Sequence, residues 1–481
     1  MKLLNKYEKL PVGVRASFWF LICGFFQKGM AVITTPIFTR LLSTDEYGQF
    51  SVFCSWQSIL TVFVTLNLAG GVYTNGLVKH KNFQDKFISS MQGLTLSLVV
   101  FWLIIYLVLR EYINNLLGLN TIQIISMFIL MWIGTISAFW STELRMDMKY
   151  RFIVILTLVV AVVRPTIGIA LVSIYDDKVT ARIIGMVVVD CIAYGWVLLW
   201  HFKKGRCFYD KKIWKHVISF NIPLIPHYLS MNILNAADRI MIDKMTGVSQ
   251  AGIYNLAYSL AQIMTIFNSA MLQTIDPWLY KKIGQKETKD IPNIAYIVFS
   301  LICVANILLI ALAPEAVSIF APKSYYDAKY IIPAVAMSVP FMFTYNFFAT
   351  FEFSYEKNSY ITLATIISAI INILLNYIFI PRFGYYAAGY TTLLCYILLS
   401  FIHYYFMNKI CKEHNIDNLY DLKKLLTIFG IFLSTGIVFL ISYENDFVRY
   451  SLLVIMIGII ILKRKLIMNT INKILILKQD H

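Results

Sequence analysis

Residues 152–174 read FIVILTLVVAVVRPTIGIALVSI, an apolar stretch that contains a single charged residue, Arg164. A helix needs about 20 mostly apolar residues to cross the hydrocarbon core of a bilayer. Helices are the default spanning element because lipid offers no hydrogen-bond partner to an open backbone. This stretch therefore predicts a transmembrane helix that carries a charge near its middle.

The same pattern recurs along the rest of the chain. Hydrophobic residues make up 59% of the 481 residues and charged residues only 14%, which is too apolar for an ordinary soluble domain. We predict an all-α integral membrane protein with about fourteen transmembrane helices. The predicted spans are roughly 14–38, 46–68, 87–109, 118–142, 152–174, 181–201, 216–242, 250–274, 291–313, 330–351, 359–380, 385–408, 425–442 and 446–462.

Basic residues set the predicted orientation. The formal net charge is +16, but lysines and arginines lie at the ends of apolar segments rather than on one soluble face, which argues against nucleic-acid binding. With a cytoplasmic N-terminus, about three times as many of them fall in inner as in outer segments, as the positive-inside rule requires. We predict a multi-pass protein with both termini in the cytoplasm. The first apolar stretch is too long for a signal peptide, so we expect it to remain as a span.

Two segments 204 residues apart indicate an internal repeat. Residues 40–50 read RLLSTDEYGQF, and residues 244–254 read KMTGVSQAGIY. The offset covers six predicted helices, so both copies face the same way across the membrane. We predict two six-helix lobes in a parallel pseudo-repeat, residues 1–205 and 206–412, followed by a C-terminal helix pair and a cytoplasmic tail within residues 413–481. Chance similarity between two helical hairpins is the alternative.

Three charged residues are predicted near the membrane midplane of the first lobe: Lys28, Arg164 and Asp190. Ionisable residues at this depth are costly and are functional candidates by default. Their formal surplus of one positive charge predicts a water-filled cavity that receives an anion, with Lys28 and Arg164 as substrate contacts. The alternatives are a structural Arg164–Asp190 ion pair and a Lys28 side chain that extends to the interface.

The seventh predicted span is the most polar, and its Pro223 and Pro226 predict a kink near its start. Helical spacing places three further candidate substrate contacts on one face: Asn232, Asn235 and Arg239. Coupling or charge-pair roles are predicted for Asp190, Asp238 and His227. An interfacial Asp238–Arg239 ion pair and an ordinary polar contact of His227 are the alternatives.

Several classes of chemistry have no matching motif. The chain contains no P-loop, HExxH or GxSxG sequence, and its seven cysteines lack metal-ligand spacing. A membrane glycan polymerase or ligase would need a sizeable outer loop, and no predicted outer loop is long. We therefore expect a protein that is not an enzyme, with no bound metal and no cofactor other than a coupling H⁺ or Na⁺.

Two segments carry a resemblance to a known family: TPIFTRLLSTDEYGQFSV at 35–52 and NIPLIPHYLSMNILNAADRIMIDKMTGVSQAGIYNLAYSL at 221–260. The most telling strings are DRIMI at 238–242 and GIY at 252–254. With the predicted topology, they resemble the polysaccharide-biosynthesis flippases of the multidrug/oligosaccharidyl-lipid/polysaccharide exporter superfamily, which include O-antigen and capsule repeat-unit flippases.

The resemblance implies a function in lipopolysaccharide or capsule assembly. A flippase of this kind moves an undecaprenyl-pyrophosphate-linked oligosaccharide from the inner to the outer leaflet of the bacterial cytoplasmic membrane, by alternating access and with ion coupling. Its partners would be that substrate, membrane lipids and other glycan-assembly proteins. The alternatives are a flippase for lipid II or another lipid-linked glycan, a multidrug antiporter, a polymerase or ligase, and an inactive scaffold. An antiporter for cationic drugs favours an acidic cavity, unlike the one predicted here.

Overall fold

A computed structural model describes residues 12–416 and 419–462, and no strand occurs in that part of the chain. The chain divides into two compact units between Ala236 and Ala237. The first contains α1 (Val12–Leu41), α2 (Thr44–Thr65), α3 (Gly71–Lys79), α4 (Gln84–Val108), α5 (Arg110–Leu117), α6 (Thr121–Met146), α7 (Tyr150–Ile174), α8 (Lys178–Gly205), α9 (Lys211–Asn221) and the start of α10 (Ile225–Met245).

The second unit begins within α10 and is also helical. It continues through α11 (Val248–Ala261), α12 (Ile263–Gly284), α13 (Ile291–Ala311), α14 (Ala313–Phe320), α15 (Ile332–Ser354), α16 (Asn358–Phe383), α17 (Tyr386–Glu413), α18 (Leu422–Ile441) and α19 (Asp446–Leu462). The division into lobes at residues 205 and 206 stays a prediction. The predicted cytoplasmic tail, at residues 463–481, lies outside the described residues.

Ten described helical segments are long and apolar enough to cross a membrane. They comprise α6, α7, α8, α15, α16 and α17, together with the longer segments Lys81–Val108, Lys211–Met245, Thr288–Ala311 and Leu422–Glu444. The helices α1, α2, α12 and α19 coincide with predicted spans but are not among the ten. The chain is thus an all-α integral membrane protein, while the number of fourteen spans stays a prediction.

Helix ends repeat at the predicted offset of 204 residues. The helix α1 ends at Leu41 and α10 ends at Met245, while α2 begins at Thr44 and α11 at Val248. In the first copy, Ser43 and Glu46 form a reciprocal capping box that satisfies backbone N–H groups at the start of α2. The two weakly similar segments therefore form the same helix–turn–helix arrangement.

Two predicted spans are interrupted. The sequence IPL at Ile222–Leu224 forms a 3₁₀ turn between α9 and α10, because Pro223 and Pro226 cannot donate backbone hydrogen bonds; the predicted kink is confirmed. The predicted span 250–274 is divided at Gln262 into α11 and α12. There the Thr265 hydroxyl donates to the Gln262 carbonyl at 2.7 Å, so it competes with the helical pattern.

Close packing of α7 against α8 positions the charges described below. A side-chain carbon added at Gly185 would lie 3.3 Å from the Gly168 backbone. Small residues at such a crossing let two membrane helices approach closely. The two glycines therefore let α7 and α8 approach closely at points four residues from Arg164 and five residues from Asp190.

The C-terminal helices are attached to the second unit by polar contacts. The Arg449 guanidinium of α19 contacts Glu315 of α14 at 2.5 Å, and the Tyr443 hydroxyl donates to the Ile310 carbonyl of α13. Arg449 is 2% exposed, so its charge needs this carboxylate partner. The predicted C-terminal pair is thus part of the second unit.

A candidate anion-binding cavity and a buried aspartate cluster

A cavity of about 310 Å³ lies within the first unit, where α1, α2, α7 and α8 meet. Two arginines, Arg164 of α7 and Arg182 of α8, line it. Its remaining wall is largely apolar and includes Phe38, Phe50 and Met30. A site lined by guanidinium groups suits an anion, because the planar fork of arginine matches phosphate and carboxylate oxygens.

The first arginine pairs with the predicted acidic residue. The Arg164 guanidinium lies 3.3 Å from an Asp190 carboxylate oxygen, and both residues lie close to the middle of their helices. The ion pair given above as the alternative is therefore present, while the substrate and coupling roles of these residues stay predictions. Arg164 also lines the cavity, so its side chain contacts both the carboxylate and the space in which a ligand could bind.

The second arginine was not predicted as a site residue. The Arg182 guanidinium carbon lies 3.6 Å from the ring centroids of both Phe38 and Phe50, a cation–π arrangement that shields the charge on both sides. The sequence places Arg182 at the start of a span, where it looks like a topology determinant. With Arg164 and Asp190, it gives the cavity a formal surplus of one positive charge.

Lys28 does not line this cavity. On α1 the lining residues are Gln27, Met30, Ala31 and Thr34, whereas Lys28 itself is exposed. Its predicted substrate contact stays a prediction.

Polar residues of α10 contact neighbours within the first unit. The Ser58 hydroxyl of α2 donates to the Asn232 side-chain oxygen at 2.6 Å. The Asn235 amide donates to the Met231 carbonyl one turn earlier at 2.8 Å. The ring of His227 lies 5.7 Å from that of Tyr228. These contacts show how the three predicted residues are held, and their roles stay predictions.

Asp238 of α10 is the centre of a buried polar cluster in the second unit. Its carboxylate accepts hydrogen bonds, each of 2.7 Å, from the Tyr254 hydroxyl, the Asn376 amide and the Thr392 hydroxyl. The Thr391 hydroxyl donates to the Asn376 side-chain oxygen, and Asn372 lies within hydrogen-bond distance of Asn376. All of these residues are buried. Four helices, α10, α11, α16 and α17, thus bring a carboxylate, amide groups and hydroxyls together.

Arg239 points into different surroundings from Asp238. Its Nε donates to the Asn255 side-chain oxygen at 3.0 Å, and its guanidinium carbon lies 4.0 Å from the Tyr258 ring centroid. Arg239 is buried within the second unit. A substrate contact for it stays a prediction.

Each unit also contains a buried Glu–His pair that the sequence analysis missed. In the first unit, His201 of α8 lies 3.1 Å from Glu143 of α6. In the second, His403 of α17 lies 2.7 Å from Glu352 of α15. All four side chains are nearly inaccessible. The sequence does contain a sign of these pairs. A glutamate and a histidine recur near the ends of corresponding predicted spans in both lobes.

The family model for "Polysaccharide biosynthesis protein" matches residues 14–283, more than half of the chain. The chain belongs to the polysaccharide biosynthesis protein family. A second family model, MatE, matches residues 223–378. A relative from Haemophilus influenzae, "Lsg locus putative protein 1", is 23% identical over 382 residues, which cover 73% of this chain and 87% of that protein.

Solved structures show the same fold in transporters. The inward closed conformation of the lipid II flippase MurJ has a TM-score of 0.68 and 16% identity, covering 93% of this chain and 99% of that one. An inward-facing multidrug resistance MATE family transporter has a TM-score of 0.61 and 12% identity, covering 81% and 96%. The predicted membership of the exporter superfamily is confirmed. The family member described here is grouped with transport proteins, which agrees with the prediction that it is not an enzyme.

Proposed function

We propose that this family member is a flippase for a lipid-linked oligosaccharide whose headgroup carries a pyrophosphate. The substrate is an undecaprenyl-pyrophosphate-linked repeat unit, which moves from the inner to the outer leaflet of the bacterial cytoplasmic membrane. Its product would serve surface glycans of the O-antigen, lipopolysaccharide or capsule type. Family membership and the likeness to a flippase support this proposal, and the membrane orientation it requires follows from the distribution of basic residues.

The observation that carries the proposal is the arginine-lined cavity. Arg164 is held at mid-helix by Asp190, and Arg182 adds the surplus charge. A pyrophosphate can accept charge-assisted hydrogen bonds from both guanidinium groups, and these are about twice as strong as neutral ones. The lipid chain stays in the bilayer while the polar headgroup crosses. Lys28, Asn232, Asn235 and Arg239 are proposed as further contacts along the path.

We assign ion coupling to the Asp238 cluster. Carboxylate, amide and hydroxyl oxygens are donors that hard cations prefer, and a buried carboxylate is equally a site for a proton. The coupling ion is therefore H⁺ or Na⁺. Transport proceeds by alternating access, in which ion binding stabilises one conformation over the other.

The test uses purified protein in proteoliposomes that contain a fluorescent undecaprenyl-pyrophosphate-linked oligosaccharide. A membrane-impermeant quencher reports the leaflet that the label occupies. We expect flipping by the native protein and at least a tenfold loss in Arg164→Gln and Arg182→Gln, because each substitution removes a charge-assisted contact worth about 1.5–3 kcal/mol. The matched control is Arg110→Gln, an exposed arginine at the start of α5.

Two outcomes would contradict the proposal. Full flipping by both cavity variants would mean that these arginines have a structural role and do not contact the substrate. Transport of a cationic dye such as ethidium, without movement of the lipid-linked glycan, would instead indicate a multidrug transporter, the kind of protein that a MATE family neighbour is named as. The cationic character of the cavity disfavours that second outcome.

A further inference from the structure

A second cavity, of about 600 Å³, lies in the first unit where the start of α7 meets the ends of α6 and α8. We name it the aromatic cleft; its walls include Trp140, Phe152, Trp196 and Trp200. These helix ends belong to the face that the basic residues predict to be cytoplasmic. The cleft shares no lining residue with the arginine-lined cavity.

The aromatic side chains of the cleft form one connected wall. The Trp140 ring lies 5.6 Å from Trp196 and 5.7 Å from Phe152, both edge to face. Phe152 and Trp196 are 56% and 42% exposed, so their faces remain open for a ligand. Rings held in this way offer a rigid apolar surface at little entropic cost.

Four basic side chains surround this wall: Arg15, Lys149, Arg151 and Lys204. Lys149 contacts Asp147 at 2.8 Å and Lys204 contacts Asp85 at 2.7 Å, so two of the charges are largely balanced. Arg151 is exposed and makes no ion pair or hydrogen bond within the described part of the chain. One acidic residue, Glu143, also lines the cleft, and its carboxylate is paired with His201.

We propose that the aromatic cleft binds the sugar-phosphate headgroup of the lipid-linked substrate at the inner leaflet, before it enters the arginine-lined cavity. This inference rests on the proposed flippase function. The basic rim complements the phosphate charge, and the open rings provide an apolar face against which a sugar ring can pack. The volume lies within the range of about 300–1,000 Å³ that is usual for sites that enclose a whole small ligand, so it exceeds what a phosphate group alone requires.

The geometry of α7 relates the two sites. Arg151 is in the first turn of α7 and Arg164 near its middle. At 1.5 Å per residue, the two positions are about 20 Å apart along the helix axis. A headgroup held at the cleft would therefore lie near the membrane surface, and α7 would form one side of its path to the cavity.

The first experiment measures binding by the full chain in nanodiscs of neutral lipid. The probe is a polyprenyl-pyrophosphate disaccharide, and tryptophan fluorescence reports its contact with the cleft. We expect the variant Lys149→Gln/Arg151→Gln to bind the probe roughly tenfold more weakly, as loss of a charge-assisted contact predicts. The matched control Lys211→Gln/Lys212→Gln removes two exposed basic residues outside the cleft and should bind normally.

Competition identifies the ligand. Polyprenyl pyrophosphate without sugar should compete more weakly than the disaccharide probe, and phosphatidylglycerol should compete weakest. Equal competition by phosphatidylglycerol would identify a general anionic-lipid site and overturn the proposal. Unchanged probe affinity in the Lys149/Arg151 variant would also overturn it.

Flipping assays separate this inference from the proposed function. In the cleft variant, the substrate concentration for half-maximal flipping should rise while the maximal rate stays close to that of the native protein. Arg182→Gln could lose flipping while the cleft variant behaves like the native protein. That result would leave the flippase proposal intact and contradict only the proposed headgroup binding at the cleft. If the native protein binds the probe but moves none of it, the flippase proposal fails instead.

Discussion

Two arginines of one cavity are stabilised in different ways. Arg164 has a carboxylate partner at 3.3 Å, whereas Arg182 lies between two phenylalanine rings. A carboxylate cancels a charge, but an aromatic ring attracts it without cancelling it. Arg182 therefore brings its positive charge to the cavity between two rings, and Asp190 orients Arg164.

A third charged residue gives a prediction for pH dependence. Asp210 caps α9 by accepting hydrogen bonds from the Lys212 and Ile213 backbone. It also contacts Lys86 at 2.7 Å, and this hydrogen bond holds the pKa of the Asp210 carboxyl below its ordinary value. Its stabilising effect is therefore complete at neutral pH and is lost as the pH falls below about 4.

We expect Asp210→Asn to lower the thermal stability of purified protein at pH 7, since asparagine keeps the cap but removes the ion pair. The difference from the native protein should stay constant down to the ordinary aspartate pKa and shrink only as the pH falls below it, towards the lowered pKa of Asp210. Asp210→Ala, which also removes the cap, should cost about 1 kcal/mol more. A difference between native and Asp210→Asn that does not change with pH would show that the ion pair is not responsible.

Sequence reasoning found some residues of the site and missed others for a physical reason. Arg164 and Asp190 stand out because a charge in the middle of an apolar segment is costly. Arg182, Glu143 and His201 lie nearer to the predicted ends of spans, where charged and polar residues are common. Only the three-dimensional packing shows that these side chains point into the protein.

At the scale of helices, the contact of Gly168 with Gly185 determines how close α7 comes to α8. We expect Gly185→Leu to force the helices apart and to cost about 1–3 kcal/mol, the usual range for overpacking. Flipping should fall with it, because Arg164 and Asp190 would separate. The measurements are thermal unfolding in detergent and flipping in proteoliposomes.

Gly195 of the same helix provides the control for this prediction. A side-chain carbon there would meet nothing within 4 Å, so Gly195→Leu should be close to native in both measurements. Equal losses in the two variants would mean that a bulky side chain on α8, rather than the close approach at Gly185, is what matters.

The Glu–His pairs join helices that are not adjacent in sequence: α6 to α8 in the first unit and α15 to α17 in the second. Removal of a buried hydrogen-bond partner leaves the other group unsatisfied, at a cost of about 1–3 kcal/mol. We expect Glu352→Ala to lower the thermal stability by this amount. Glu352→Gln should retain most of the native thermal stability, because glutamine can still form a hydrogen bond with His403. Equal losses would show that the carboxylate charge itself is required.

Hydropathy predicted the position of most helices but not their interruptions. A 3₁₀ turn at Ile222–Leu224 follows from proline chemistry and was expected. The break at Gln262 is accompanied by a local side-chain hydrogen bond, and an apolar window reveals neither. The short amphipathic helices α3, α5 and α14 were not predicted, because each is too short to span and none is uniformly apolar.

For the whole molecule, the ion coupling that we propose would make the Asp238 cluster the point at which an ion gradient acts. We expect Asp238→Asn to abolish the dependence of flipping on an imposed gradient, because the amide can neither bind a proton nor balance a cation. The measurement compares flipping in proteoliposomes under a pH gradient and under a Na⁺ gradient. An Asp238→Asn variant that still responds to either gradient would place the coupling group elsewhere.

The stacking of Arg182 between Phe38 and Phe50 has a consequence for ionic strength. Mobile ions screen exposed charges over a Debye length of about 8 Å at physiological salt, but they reach a charge sandwiched between two rings poorly. Exposed Arg151, by contrast, is open to counter-ions. Rising salt should therefore weaken capture of the headgroup at the surface well before it weakens retention in the arginine-lined cavity. If the protein is a flippase, it would then load more slowly at high salt but still retain substrate that has already entered.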